Sequence, residues 1–531
     1  MNTFARLLSG AAIGLAVSMT SFAAVAETPA NMLVIAHRID DITTIDPAES
    51  FEFAGSDISR NVYGRLVSLD PNDLAAGYKP DLATSWEVSE DGKTITFTMR
   101  EGVTFHSGNP VTAEDAAFSL QRAVILNKTP AFILTQFGFT AENATETIRA
   151  EGGKLMITTD KRYATSFVLN CLTATIGAIV DKETVMANEV DGDMGNEWLK
   201  TNSAGSGPYK LDSWKPNESV TLSSNPDYYG GAPAMERVIV RHVIESASQR
   251  LLLERGDVDI ARNLNPEDIA GASQAEGVKI EDELKGRLMY IALNQKHPEL
   301  SKPEVRQAFK YLIDYEGMRD SFLKGQYTIH QNFLPATYLG ASEENPFSYN
   351  IEKAKELLAA AGVEDLEIEI GVREAQERIE IGQSFQNAAA QAGIKVNITV
   401  GTAKQILARY RARELDVYLG AWGPDYPDPQ TNAGTFAYNP DNSDAANATG
   451  LLAWRNSWDT GGLTEKVDAA VVENDRDMRI QMYQDIQAEF RETSPFVIMF
   501  QQIEQSALRD NVIDWSTGQA VTSAAYWQVT K

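Results

Sequence analysis

PDLATSWEVSEDGKTITFTMREGVTFHSGNPVTAEDAAFSLQRA, residues 80–123, contains two elements that can be read from local chemistry alone. Residues 86–89 and 94–100 form two short runs around Glu90-Asp91-Gly92, and Asp-Gly favours the positive φ angles of a tight hairpin turn. In the second run Ile95, Phe97 and Met99 share one face and Thr94, Thr96 and Thr98 the other. That period of two belongs to a half-buried strand. A helix follows from Thr112. Thr112 and Asp115 have capping-box spacing, and Ala113, Ala117, Leu120 and Val124 fall on one stripe.

Outward from this hairpin–helix unit, strands and helices alternate irregularly without an internal repeat. Pro303 opens a helix over 303–313 whose stripe is Val305, Ala308, Phe309 and Leu312. Another spans 351–361, with Ile351, Ala354, Leu357, Leu358 and Ala361 inward and Gly362 as terminator. Strands near 366–371 and 395–400 flank a further helix, a β-α-β-like unit that opens a separate lobe. The pattern predicts an α/β chain with mixed sheets. At 531 residues the chain exceeds what one hydrophobic core serves, so two or three lobes are expected.

The chain carries 74 acidic and 47 basic residues, a formal net charge of −27. No run of Lys and Arg offsets this, so the surface repels nucleic acid. Residues 1–26 read as an export signal. Arg6 supplies positive charge, 7–17 is mostly apolar, and Ala24-Val25-Ala26 is a small-x-small cleavage site. The mature protein is expected to start near Glu27. No cysteine lies near the cleavage point, so no lipid anchor is expected. The only cysteine, Cys171, sits in the apolar run FVLNCLTATI and reads as a core residue rather than a reactive thiol.

A search for catalytic or metal chemistry finds none. The five histidines lack the i, i+4 spacing of a helical zinc pair, and one cysteine forms no thiolate cluster. There is no G-x-S-x-G elbow and no P-loop. Gly205-Ser206-Gly207-Pro208 reads as a turn before a strand at 209–211. Asp191-Gly192-Asp193 begins like a calcium loop, but Gly195 stands where a third oxygen ligand belongs. No metal, cofactor or catalytic residue is expected.

One loop stands apart: AWGPDYPDPQTN, 421–432, after an apolar strand at 415–421. Pro424, Pro427 and Pro429 restrict the backbone, so the loop can hold Asp425 in a fixed place. A carboxylate there can pair with a ligand ammonium, with Trp422 giving apolar or cation–π contact. Spacing alone equally allows an ordinary surface loop. Trp454 and Trp458, four apart, fit either core positions or a stacking surface.

Taken in order, these stretches resemble the extracytoplasmic solute-binding proteins of ABC importers, the family with dipeptide-, oligopeptide- and nickel-binding members. The resemblance is carried by residues 80–123 and by TTIDPA (43–48), VYGRLVSLD (62–70), GSGPYKLDSWKPNESVTLSSNPDYYGG (205–231), LLLERGDVDIA (251–261), EVRQAFKYLIDYEGM (304–318) and NIEKAKELLAAAG (350–362). It implies the two-lobed periplasmic-binding-protein fold of the large class with an extra third domain. Domain I combines 27–60, 198–290 and 500–531; domain II is 61–197; domain III is 291–499. The chain crosses between lobes near 284–294 and 496–506, which form the hinge.

The resemblance further implies a periplasmic, monomeric protein that takes a short peptide from solution and passes it to an ABC permease and its ATPase. The alternatives are a non-peptide solute (opine, oligosaccharide, other amine-bearing or metal-complex ligand) and, remotely, a secreted hydrolase. In peptide-binding members a Trp followed shortly by an Asp contacts the ligand, a pattern that falls here on Trp422, Gly423 and Asp425. A second pocket edge falls on Arg38, Ile39, Asp40, Asp41 and Ile42, where Arg38 fits either a ligand carboxylate or a surface charge. Arg373, Arg378, Arg409 and Arg411 are unranked candidates for that carboxylate. Residues 80–123 are expected to be structural.

Overall fold

The structure, a computed structural model, describes residues 27–520 and 524–531. The export signal lies outside the described residues.

The hairpin of residues 80–123 forms as its alternation requires. Strands Ala83–Val88 and Thr94–Met99 pair antiparallel, and Gly92 takes φ +72° in the turn. Ile95 and Phe97 are buried, while the threonines between them are half-buried. Lys154–Thr158 and Ile148–Glu151 complete a four-stranded antiparallel sheet. The helix Ala113–Leu126 packs on it, capped by the reciprocal Thr112–Asp115 box. Its Arg122 is buried and forms a bidentate pair with buried Asp46 at 2.8 and 2.6 Å; Asn196 donates to the same carboxylate. A buried pair of this kind is fully hydrogen-bonded or very costly, so it fixes one relative placement of 43–48 and this helix.

The turn at 205–208 is tied to the same unit. His106 donates its backbone N–H to the Gly205 carbonyl at 2.8 Å, and Gly207 donates to Val62 at 2.9 Å. A Cβ on Gly205 would lie 2.1 Å from the Val62 carbonyl oxygen, so only glycine permits this approach. The strand Tyr209–Lys215 follows.

A large mixed sheet of eleven strands runs through the rest of the molecule. At one end Met32–His37 lies parallel to Arg237–His242, and Ser219–Ser224 and Tyr209–Lys215 extend the edge. At the other, Glu367–Arg373 lies parallel to both Lys395–Gly401 and Val417–Trp422. The helix Gln376–Gln391 follows the first of these, giving the β-α-β unit. The amphipathic helices appear as Pro303–Tyr311 and Ile351–Ala360, and Gly362 takes φ +62° just beyond the second.

The two ends are joined by the longest strands, Val278–Leu293 and Phe496–Arg509, which pair antiparallel from Val278–Arg509 to Ala292–Phe496. These contain most of the two proposed crossing segments. Their register shifts between Leu284 and Leu288. At that break the Lys285 ammonium is buried and donates to the carbonyls of Thr517 and Gly518 at 2.7 and 2.5 Å. Among the described residues these two strands stand next to each other midway along the sheet, between its two ends.

Cys171 is fully buried, and burial pushes its thiol well above the ordinary range, as a core position demands. Trp454 and Trp458 are also core residues. The Arg413 guanidinium lies over the Trp454 ring at 4.2 Å, and Trp458 packs edge-on against Phe490 and Phe496. In the calcium-like segment Asp193 accepts backbone N–H bonds from Val190, Gly195 and Glu197, which makes it a turn and helix-start residue.

Candidate functional site: a cavity between the lobes

The strand Val417–Trp422 pairs with Leu288–Leu293, which places Trp422 at the strand's end beside Leu288. The chain then turns through Gly423–Asp428 and enters the helix Pro429–Phe436 with Asp428 as N-cap, accepting from the Gln430 N–H at 2.8 Å. Pro429 takes the first helical position, where its missing N–H costs nothing. Asp425 donates its backbone N–H to Thr431 Oγ1 at 3.1 Å, and Trp422 donates its indole N–H to Asn432 Oδ1 at 3.2 Å. The loop is thus anchored at both ends by the helix it leads into.

Its two aspartates have opposite fates. Asp428 is fully buried and saturated: Arg479 donates to both its oxygens at 2.9 and 2.8 Å, and Asn170 Nδ2 donates at 2.8 Å. The Asp425 carboxylate has no hydrogen-bond or ion-pair partner among the described residues. Burial pushes its pKa up to about 7, opposed weakly by the more distant Arg455. The carboxyl is enclosed by protein yet half-buried in area, because it faces an internal space.

That space is a cavity of about 330 Å³. One wall is the 422–427 loop with Tyr338. The others come from Ser50 to Arg65, from Pro130 and Ile133, and from Thr173–Ile176. Phe51, Phe53, Leu69, Ile133 and Ile176 make much of the lining apolar, and Arg60 and Arg65 bring positive charge. A few convergent polar groups in an apolar enclosure of this size are the usual form of a small-ligand site.

The walls are held together across the gap. Ala164 donates its N–H to the Val471 carbonyl at 2.8 Å, and Thr165 to Asn474 Oδ1 at 2.9 Å. Arg479 donates to Ser166 Oγ at 3.0 Å, and the rings of Phe167 and Tyr426 lie 5.9 Å apart. With the Asn170–Asp428 bond, these contacts clasp 164–170 onto the helices that follow the Asp425 loop.

Trp422, Gly423 and Asp425 all line the cavity. Arg38, Asp41 and Ile42 do not. Arg38 is exposed and forms a bidentate pair with Asp40 at 2.8 and 2.9 Å. Asp41 accepts from the Ala54 N–H at 3.3 Å, and Ile39 and Ile42 are packed in the core. Arg409 is held by Glu369 at 2.7 and 2.8 Å, and none of Arg373, Arg378, Arg409 and Arg411 lines the cavity. Sequence reasoning missed Arg60 and Arg65, which carry no local signature and lie some 360 positions from Asp425. None of residues 80–123 lines this cavity.

Two lobes joined by a pair of long strands and closed over an apolar, charge-bearing cavity define a protein built to enclose a small solute. The chain belongs to the bacterial extracellular solute-binding proteins, family 5, whose middle region matches residues 77–444. It is 27% identical over 499 residues to the probable D,D-dipeptide-binding periplasmic protein DdpA of Escherichia coli, covering 92% of each chain. It is 25% identical to di/tripeptide-binding protein 2 of Pseudomonas aeruginosa, covering 85% of this chain and 86% of that one. The fold is that of the periplasmic binding protein DppA from Helicobacter pylori, solved in complex with the peptide STSA. The TM-score is 0.77 at 22% identity, covering 94% of this chain and 98% of that one.

Proposed function

We propose that this chain is the periplasmic ligand-binding component of an ABC importer and that it captures short peptides by their amino terminus. The observation that carries the reading is Asp425: a carboxylate enclosed at the cavity wall and left without a partner, while Asp428 three residues on is saturated. An enclosed, unpartnered carboxylate is costly in the empty protein and is relieved by an ammonium. A ligand lacking the amine leaves Asp425 stranded, so the site discriminates by penalty as much as by attraction. Trp422 and Gly423 line the approach to it. The peptide-binding names of the two relatives support the same ligand class.

In this account residues 1–26 direct export, cleavage falls near Ala26, and the mature monomer works in the periplasm. It delivers its ligand to the permease and its ATPase and catalyses no reaction. Domain I comprises 27–60, 198–290 and 500–531, domain II 61–197 and domain III 291–499, with the paired long strands as hinge. Closure about such a hinge buries the ligand. The test is calorimetric titration with pooled di- and tripeptides and their N-acetylated counterparts. Binding of the free-amine pool alone is expected; equal binding of both pools contradicts the amine reading.

A further inference from the structure

The clasp that ties 164–170 to the chain beyond Asp425 is built from groups aimed at one another before the gap closes. On one side Asp428 and Arg479 neutralise each other, and both are buried. Arg479 also donates to the Ala470 carbonyl at 3.0 Å and to the Tyr483 hydroxyl at 3.2 Å, so its guanidinium is fixed within its own wall. On the other side Tyr78 orients the partner. Its hydroxyl donates toward the Ser166 carbonyl at 2.8 Å and Asn170 Oδ1 at 2.9 Å, which leaves Asn170 Nδ2 facing Asp428. A carboxylate only accepts, so this is the amide orientation the site needs. Asn474 makes a second crossing. Its Oδ1 accepts the Thr165 N–H at 2.9 Å and the Thr165 hydroxyl at 3.1 Å, and its Nδ2 donates to the Tyr163 carbonyl at 3.5 Å.

The clasp also has an apolar part. Tyr426 and Val471 are buried in the hydrophobic cluster that contains Phe137, Tyr163 and Phe167. Every other buried member of that cluster among the described residues comes from 48–179. Opening the gap draws both side chains out of a core they share with the opposite wall. It separates no ion pair, because Asp428 and Arg479 move together. That makes the clasp releasable, whereas a charge pair split across the gap would resist opening far more strongly. A hydrogen bond from a neutral donor to a charged acceptor contributes roughly tenfold to an equilibrium, and burying a Val or Tyr side chain about tenfold again. The two walls are already joined through the chain, so closing loses no translational freedom.

We propose that this clasp is a latch that keeps the lobes closed in the ligand-free protein, so that solute enters only through brief openings. This rests on reading 61–197 and 291–499 as opposite sides of the cleft. Capture is then gated by the protein: once solute is plentiful, its rate of entry is set by how often the latch opens and no longer by concentration. The same contacts hold the cavity shut after solute has entered, so the latch lengthens the time a captured solute stays bound.

The experiment is solution X-ray scattering of the protein freed of bound solute by dialysis against dilute guanidinium and returned to buffer, with native mass spectrometry confirming that no solute remains. The wild-type profile is expected to fit closed lobes, with at most about one molecule in ten open. Combining Asn170→Ala with Asn474→Ala removes the two polar crossings. The open share should then become the majority and the radius of gyration rise, while the circular dichroism spectrum stays that of the wild type. If that double variant unfolds, Val471→Ala carries the comparison and should shift the profile the same way. A wild-type profile that fits only open lobes overturns the proposal without any variant. A folded variant as closed as the wild type also overturns it. No ligand enters the measurement, so either failure leaves the peptide reading standing, and failure of the peptide titration leaves the latch standing.

Discussion

Acidification should switch off ligand capture at a single group. With its pKa near 7 in the empty protein, the Asp425 carboxyl is about 1% ionised at pH 5 and about three-quarters ionised at pH 7.5. Only the ionised form pairs with an ammonium, so affinity falls as pH falls through 7. A peptide amino group of pKa near 8 loses its proton on the other side. The product of the two fractions is greatest near pH 7.5 and about 50-fold smaller at pH 5. Titration calorimetry of one bound peptide from pH 5 to 9.5 should give this bell. At pH 6, buffers of different ionisation enthalpy should reveal release of about 0.9 proton per ligand, because binding forces Asp425 to ionise. Asp425→Asn should flatten the acid limb and leave the alkaline limb. An affinity constant within about twofold between pH 5 and 7.5 would refute the reasoning, since the enclosed carboxyl would then not be the ligand's partner.

Three further outcomes follow from the same geometry. Asp425 is harder to ionise folded than unfolded, so its contribution to stability declines as pH rises from about 4 to 7. Asp425→Asn should therefore raise the thermal stability of the empty protein at pH 8, by at most about 4 kcal/mol; an unchanged or lower melting temperature would contradict this. Asn170→Ala removes a bond across the clasp at 2.8 Å while Arg479 still satisfies Asp428. Because this bond and the one Tyr78 donates to Asn170 are both present without ligand, the empty protein should lose about 1 kcal/mol in denaturant unfolding, and unchanged stability would contradict the clasp. Gly205→Ala forces a Cβ against the Val62 carbonyl and should cost about 3 kcal/mol in denaturant unfolding, with His106 and the whole 80–123 unit loosened.

The parts of this molecule that could be read from sequence are those whose cause is local. The Asp91-Gly92 turn, the Thr112–Asp115 box and the Ile95/Phe97 alternation each need only a few neighbouring residues, and each formed as read. The stiff loop around Asp425 was legible because three prolines and a preceding strand fix it locally. What was not legible is which aspartate is spent. Asp428 is neutralised by Arg479, 51 positions on, and nothing in the loop itself distinguishes it from Asp425. Arg38 and Asp40 show the converse: a carboxylate two residues away occupies the guanidinium, so a charge that looked available is engaged. Arg60 and Arg65 line the same cavity as the 422–427 loop from some 360 positions away, a relation with no trace in either stretch.

The central claim is that a ligand sits between the lobes with its amine on Asp425. A crystal structure of the protein with its bound peptide tests it most directly. The account predicts the ligand nitrogen within about 3 Å of the Asp425 carboxylate and the peptide extending from there into the cavity. A ligand lodged elsewhere, or one in this cavity that leaves Asp425 without a partner, would contradict it.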